Sequence, residues 1–165
     1  MLEVPLDGAP RRAMRIGLIS DTHGLLRPEA LDFLAGSDHI VHGGDIGNPE
    51  ILERLAAIAP LTVVRGNNDT ADWATPIPVT ARLAPGGVPL YVIHDIKELD
   101  IDPAAAGVRV VVSGHSHRPA SVERGGVLYV NPGSAGRRRF SLPIAAGELL
   151  IEDGRVEVRL ATLVT

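Results

Sequence analysis

Residues 14–64, MRIGLISDTHGLLRPEALDFLAGSDHIVHGGDIGNPEILERLAAIAPLTVV, decide the fold, because strand-like and helix-like patterns alternate within them. Arg15 to Ser20 is short, mostly apolar and closed by a turn signal, the pattern of a buried strand. Pro28 to Ala35 predicts a helix, since proline fits a first helical turn and Gly36 supplies a stop. Residues 38–42 predict a second strand. Pro49 to Ala59 predicts an amphipathic helix with Ile51, Leu52, Leu55 and Ile58 on one face and Asn48 as its N-cap. Leu61 to Val64 predicts a third strand. A βαβαβ run defaults to parallel pairing with right-handed crossovers.

The pattern changes beyond residue 78. Residues 79–94 predict a hairpin turning at Pro85-Gly86-Gly87, its second strand running into His94. Val108 to Val112 predicts a buried strand ending at Gly114-His115. Residues 120–124 and 127–130 flank Gly125-Gly126, and residues 145–151 and 156–160 flank Asp153-Gly154, which predicts two more hairpins. This half is expected to be β-rich and largely antiparallel. Two sheets face to face with helices outside would bury these strands in one core. The 165 residues suit one domain, read as residues 14–165, with residues 1–13 a loosely ordered extension.

Composition narrows the class. Hydrophobic residues make up 45% of the chain and the formal net charge is -4, which argues against a general nucleic-acid binder. No cysteine is present, so neither disulfides nor thiolate metal sites are available. No apolar run approaches the roughly 18–20 residues of a membrane span. MLEVPLDGAPRRA lacks the apolar middle of a secretion signal; Arg11-Arg12 resembles a twin-arginine signal, but a strand pattern follows at once. These features lead to an expected cytoplasmic location.

Five motifs follow predicted strands in order: Asp21-Thr22-His23, Gly43-Gly44-Asp45, Gly66-Asn67-Asn68-Asp69, His94-Asp95 and Gly114-His115-Ser116-His117. They hold four of the six histidines, so imidazole is concentrated where carboxylates and amides also sit. Such donors suit Mn²⁺, Fe²⁺, Zn²⁺, Ni²⁺ or Co²⁺, whereas Ca²⁺ favours all-oxygen sites. Asp21 with His23, and His115 with His117, are spaced so that both side chains of a pair can reach one ion. Asp45 is the best bridge between two ions. Two divalent ions would outweigh the charges of Asp21 and Asp45, leaving a net positive centre that attracts anions. Two such ions roughly 3.5–4 Å apart clamp both oxygens of an in-line phosphoryl displacement, so phosphate-ester hydrolysis is the expected reaction.

The motif set, with Asn131-Pro132-Gly133-Ser134 behind it, resembles the calcineurin-like metallophosphoesterases, and within them the small YfcE-type branch related in fold to Vps29. The resemblance covers nearly the whole chain from Met14. It implies an α/β, four-layer αββα sandwich of two mixed sheets flanked by helices. It implies one ion on Asp21, His23 and His117, a second on Asn67, His94 and His115, and Asp45 between them. A bridging hydroxide would attack phosphorus, and Mn²⁺ is a common activator in the family. Asp45, Asn67, Asn68 and His94 are the expected catalytic positions, and a small phosphate ester, preferably a diester, is the expected substrate. Exposed edge strands leave room for a homo-oligomer; neither membrane attachment nor a stable nucleic-acid complex is expected.

Two departures stand out. Relatives often place a histidine at the position of Asn68, where it protonates the leaving group; an amide has no such proton to give. Relatives often follow the fourth-motif histidine with glycine, where this chain has Asp95. Vps29-like scaffolds usually show eroded ligand motifs, whereas all seven positions are intact here, which favours an enzyme over a scaffold. His42 is read as supporting the site or core and His39 as having no role in it. Asp69 is read as a loop-shaping acceptor, Gly133-Ser134 as shaping a turn, and Trp73 as packing or lining a mouth. Arg65 and Arg137 to Arg139 are read as a solvated face.

Overall fold

The computed structural model describes residues 13–165; the predicted extension, apart from Ala13, lies outside the described residues. The first half follows its expected order: β1 (Met14–Ile19), α1 (Pro28–Leu34), β2 (His39–His42), α2 (Pro49–Ala56) and β3 (Leu61–Val63). β1, β2 and β3 pair in parallel. Asn48 caps α2 by accepting a hydrogen bond from Ile51 N at 3.2 Å, and Pro49 opens the helix.

The second half gives β4 (Thr80–Leu83), β5 (Leu90–Ile93), β6 (Val110–Val112), β7 (Ala120–Arg124), β8 (Val127–Asn131), β9 (Ile144–Glu152) and β10 (Arg155–Val164). β9 and β10 join the first sheet, ordered β10-β9-β1-β2-β3; the second is ordered β4-β5-β6-β8-β7. The expectation of a largely antiparallel second half needs correcting. β4–β5, β7–β8 and β9–β10 are antiparallel, but β5, β6 and β8 pair in parallel. Hairpin signals report only strands joined by short turns; the 96–109 connection is long enough to return the chain for parallel pairing. Both sheets are therefore mixed, as expected.

Alternation along each strand divides the side chains between two layers. Ile16, Leu18, Leu90, Val92, Val110 and Val112 meet between the sheets. Ile19 and Ile40 face α1 and α2, where Leu34, Ile51 and Leu55 cover them. Each fully buried aliphatic side chain of this kind contributes roughly 1.5–3 kcal/mol relative to exposure. Tyr91, Ile93 and Val111 point out of the second sheet and are covered by Leu99 and Ile101. That cover is a 3₁₀ turn (Ile96–Glu98) and loop, so among the described residues the two α-helices both lie on the first sheet. Among the described residues no helix is long and apolar enough to cross a membrane.

Candidate metal centre

The five motifs converge at one edge of the two packed sheets, beyond the carboxyl ends of β1, β2, β3, β5 and β6. That edge is where parallel strands release their loops and where α/β folds place ligands. The loops are laced together: Asp21 N donates to Gly44 O and His23 N to Asp45 O, each at 3.0 Å, and Gly114 N donates to His94 O at 2.9 Å.

Two clusters of ligand atoms result, Asp21 with His23 and His117, and Asp45 with His94 and His115. His23 Nε2 and His117 Nε2 face each other at 3.3 Å, and they lie 3.7 and 3.4 Å from Asp21 Oδ1. Asp45 Oδ2 is 3.6 Å from His23 Nε2 and 3.2 Å from His94 Nε2, between the clusters. Asn67 Oδ1 stands 3.0 Å from His94 Nε2 and 3.2 Å from His115 Nδ1. All seven sequence-predicted ligand positions are thus brought together.

The residues fit divalent ions on three observations. Asp21 Oδ2 accepts from Ser20 Oγ at 2.6 Å and His115 N at 3.1 Å, while Asp21 Oδ1 is buried without a hydrogen-bond partner. A carboxylate oxygen stripped of water and left unpaired is costly, and a cation there would satisfy it. Next, ligands about 2.1 Å from one tetrahedral ion sit about 3.4 Å apart, close to the spacings above. Finally, His94 Nδ1 donates to Gly43 O at 2.7 Å, which orients the ring and turns Nε2, the atom a cation would take, toward Asp45 and Asn67.

Backbone strain gathers at the same place. Among the described residues, seven non-glycine residues have positive φ, and five of them are Asp21, His23, Asp45, His115 and His117. Such conformations disfavour residues bearing a Cβ and persist where the surroundings over-determine them. The glycines beside them are sterically required: a Cβ on Gly66 would lie 2.1 Å from Asp45 Oδ1, and one on Gly114 2.6 Å from Asp21 Oδ2.

Charge is distributed unevenly. Burial opposes ionisation of Asp45, but hydrogen bonds from His94 and Asn68 and the nearby histidine charge outweigh it and hold the pKa at about 2. Burial likewise opposes charge on His94, yet the Asp45 and Asp21 carboxylates raise its pKa to about 9. The Asp21 carboxylate raises that of His23 against its desolvation, whereas desolvation lowers that of His117. Without cations, then, a proton on His94 offsets the Asp45 carboxylate.

The surrounding residues divide as follows. Asn68 faces Asp45, its backbone N donating to Oδ1 at 2.9 Å and its Nδ2 to Oδ2 at 3.2 Å. Asp69 accepts from the backbone N of Asp45, Ile46 and Gly66 at 2.9 Å each, shaping the loops as expected. His42 is fully buried; its Nδ1 accepts from Gly44 N and its Nε2 donates to Thr22 Oγ1, both at 3.0 Å. His39 lies away from the site, against Thr62. Asn131 Nδ2 donates to Gly114 O and Ser116 Oγ, and Ser134 Oγ to Asp21 O, so that segment braces the ligand loops. Trp73 packs against the helix-covered face of the first sheet. Asp95 Oδ2 stands 3.7 Å from His115 Nε2. Sequence reading missed Ser20, whose hydroxyl orients Asp21; a serine next to a predicted ligand carries no pattern of its own.

Comparison with known proteins follows the same lines. The family described as "Calcineurin-like phosphoesterase superfamily domain" matches residues 14–154. "Probable metallophosphoesterase MJ0623" of Methanocaldococcus jannaschii is 33% identical over 160 residues, covering 89% of this chain and 80% of that protein. A solved archaeal phosphodiesterase shares the fold with a TM-score of 0.76 at 22% identity, covering 91% of this chain and 100% of that one. Vacuolar protein sorting 29 of Cryptosporidium parvum does so with a TM-score of 0.74 at 19% identity, covering 92% and 98%.

Proposed function

The chain belongs to the calcineurin-like phosphoesterase superfamily, and we propose that it is a metal-dependent phosphodiesterase acting on small esters through a dinuclear centre. The observation that carries the reading is the shared position of Asp45, whose Oδ2 faces His23 of one cluster and His94 of the other. Asp21, His23 and His117 would hold one ion, and Asn67, His94 and His115 the other, with Mn²⁺ the expected ion. Bound there, divalent ions supply Lewis acidity toward phosphoryl oxygens and an activated water.

The chain's own residues set the rest. His94, tied to Gly43 O, keeps its free nitrogen aimed inward. Asn68 holds Asp45 by two hydrogen bonds and has no proton to give a departing alkoxide. Turnover therefore depends on leaving groups that depart readily. Asp95, Glu98 and Asp100 line a recess at the site, and their field opposes a dianionic monoester more than a monoanionic diester. An intact ligand set separates this reading from that of a non-catalytic scaffold.

The test is hydrolysis of an aryl phosphodiester and the matching monoester with Mn²⁺. The expected result is turnover with the diester preferred, and its loss in a folded Asp45→Asn variant by about 10³-fold or more, on the scale of removing a central electrostatic group. Wild-type turnover in that variant would refute the dinuclear mechanism; preference for the monoester would refute the diester assignment.

A further inference from the structure

Two recesses of opposite charge flank the His94–Asp95–Ile96 segment. One, of about 270 Å³, sets Asp95, Glu98 and Asp100 against the single guanidinium of Arg65. The other, of about 530 Å³, runs over the outer face of the second sheet, and its charged residues are Lys97, Arg118 and Arg124, with no carboxylate among its lining. Among the described residues, none of these three cations pairs with a carboxylate. On a chain of net charge -4 this is a local reversal of sign.

The basic recess abuts the two loops that carry His94, His115 and His117. One wall is the loop after His94, carrying Ile96, Lys97 and Leu99; the other carries Ser116, which lies between His115 and His117. From there the groove crosses β8 and β7, where Val122 is 44% exposed and the Arg124 guanidinium lies over the Tyr129 ring at 5.3 Å. No α-helix covers this face among the described residues; a 3₁₀ turn and loop cover Tyr91, Ile93 and Val111, and beyond them Val122 stays exposed. Its volume falls in the range of small-ligand sites. Cations without carboxylate partners attract anions, and the Arg124 guanidinium lying over Tyr129 presents a cationic plane against which a flat ring can stack.

Resting on the phosphoesterase reading for the position of the scissile group, we infer that this groove holds the rest of the substrate, and that this part is a nucleotide carrying a phosphate beyond the scissile one. Charge decides between the two recesses: a second phosphate is repelled by the three carboxylates on one side and drawn to the three cations on the other. The substrate class is then a short phosphodiester such as a dinucleotide with a terminal phosphate.

Binding to the full chain in chelator tests this apart from catalysis, with adenosine 3′,5′-bisphosphate, adenosine and inorganic phosphate as probes. The bisphosphate is expected to bind more tightly than either fragment and to weaken as salt rises. A doubly substituted Lys97→Gln, Arg124→Gln chain should bind it about tenfold more weakly, the scale of two exposed charge contacts. Arg65→Gln, in the acidic recess, should bind it as wild type does. The inference is overturned if the bisphosphate binds no better than phosphate, if the double variant binds like wild type, or if Arg65→Gln causes the loss. Failure of Mn²⁺-dependent hydrolysis of the aryl diester would instead overturn the phosphoesterase reading and leave this binding result standing.

Discussion

In the proposed reaction, Asn68 is the residue whose chemistry sets the limit. Its side chain reaches Asp45 but brings no acid to the leaving group. Asn68→His should raise turnover of esters with poor leaving groups, by up to about 10²–10⁴-fold, and change activated aryl esters little. Steady-state kinetics on an alkyl and an aryl ester checks this; no gain on the alkyl ester would mean the proton already comes from elsewhere. His42 acts through protonation in the opposite sense. Desolvation in its fully buried position lowers its pKa from 6.5 to about 4, so it folds neutral. The unfolded chain takes up that proton first, so its stabilising share is complete above pH 6.5 and is lost as pH falls through about 4. The loss is on the order of 3 kcal/mol. Urea unfolding in chelator at pH 7 and pH 4 should show it, and His42→Gln should flatten the profile; an equal slope in that variant would remove His42 as the cause. The convergence of the seven candidate ligand positions was readable because their motifs follow apolar strands in order and together match a family pattern. Ser20 and Asn131 were harder, since their effect lies in what their hydroxyl and amide touch after folding.

At the level of elements, α1 and α2 were legible because their apolar spacing, prolines and caps agree with one another. Asn48→Ala should cost about 1 kcal/mol by removing the Ile51 N–H acceptor, read as a lower urea midpoint at unchanged slope. An unchanged midpoint would show that the cap is dispensable and that packing of Ile51 and Leu55 alone holds α2. Strand positions were legible too, but the relative direction of β5, β6 and β8 was not. β5, β6 and β8 are short runs buried on the face between the sheets, and a run of valines such as Val110–Val112 has the same pattern in either direction. The connection after β5 settles it, and no helical period marks residues 96–109. That same absence leaves the outer face of the second sheet under loop cover and open beside β7.

Taken whole, the molecule gathers its candidate ligands where two mixed sheets release their loops. Two packed sheets could be anticipated from the strand patterning and a candidate ligand set at their edge from the motifs, while among the described residues α-helices cover only the first sheet. The groove could not, because Lys97, Arg118, Arg124 and Tyr129 are separated in sequence and belong to no shared motif. Candidate ligand residues held at positive φ, with Asp21 Oδ1 buried and without a hydrogen-bond partner, make a framework suited to cations. The central claim is that two ions share Asp45. Equilibrium dialysis with Mn²⁺, followed by electron paramagnetic resonance of the loaded protein, tests it directly. The account predicts two ions per chain with exchange-coupled spectra, reduced to uncoupled Mn²⁺ by Asp45→Asn; a single ion per chain, or two uncoupled ions in the wild type, would contradict it.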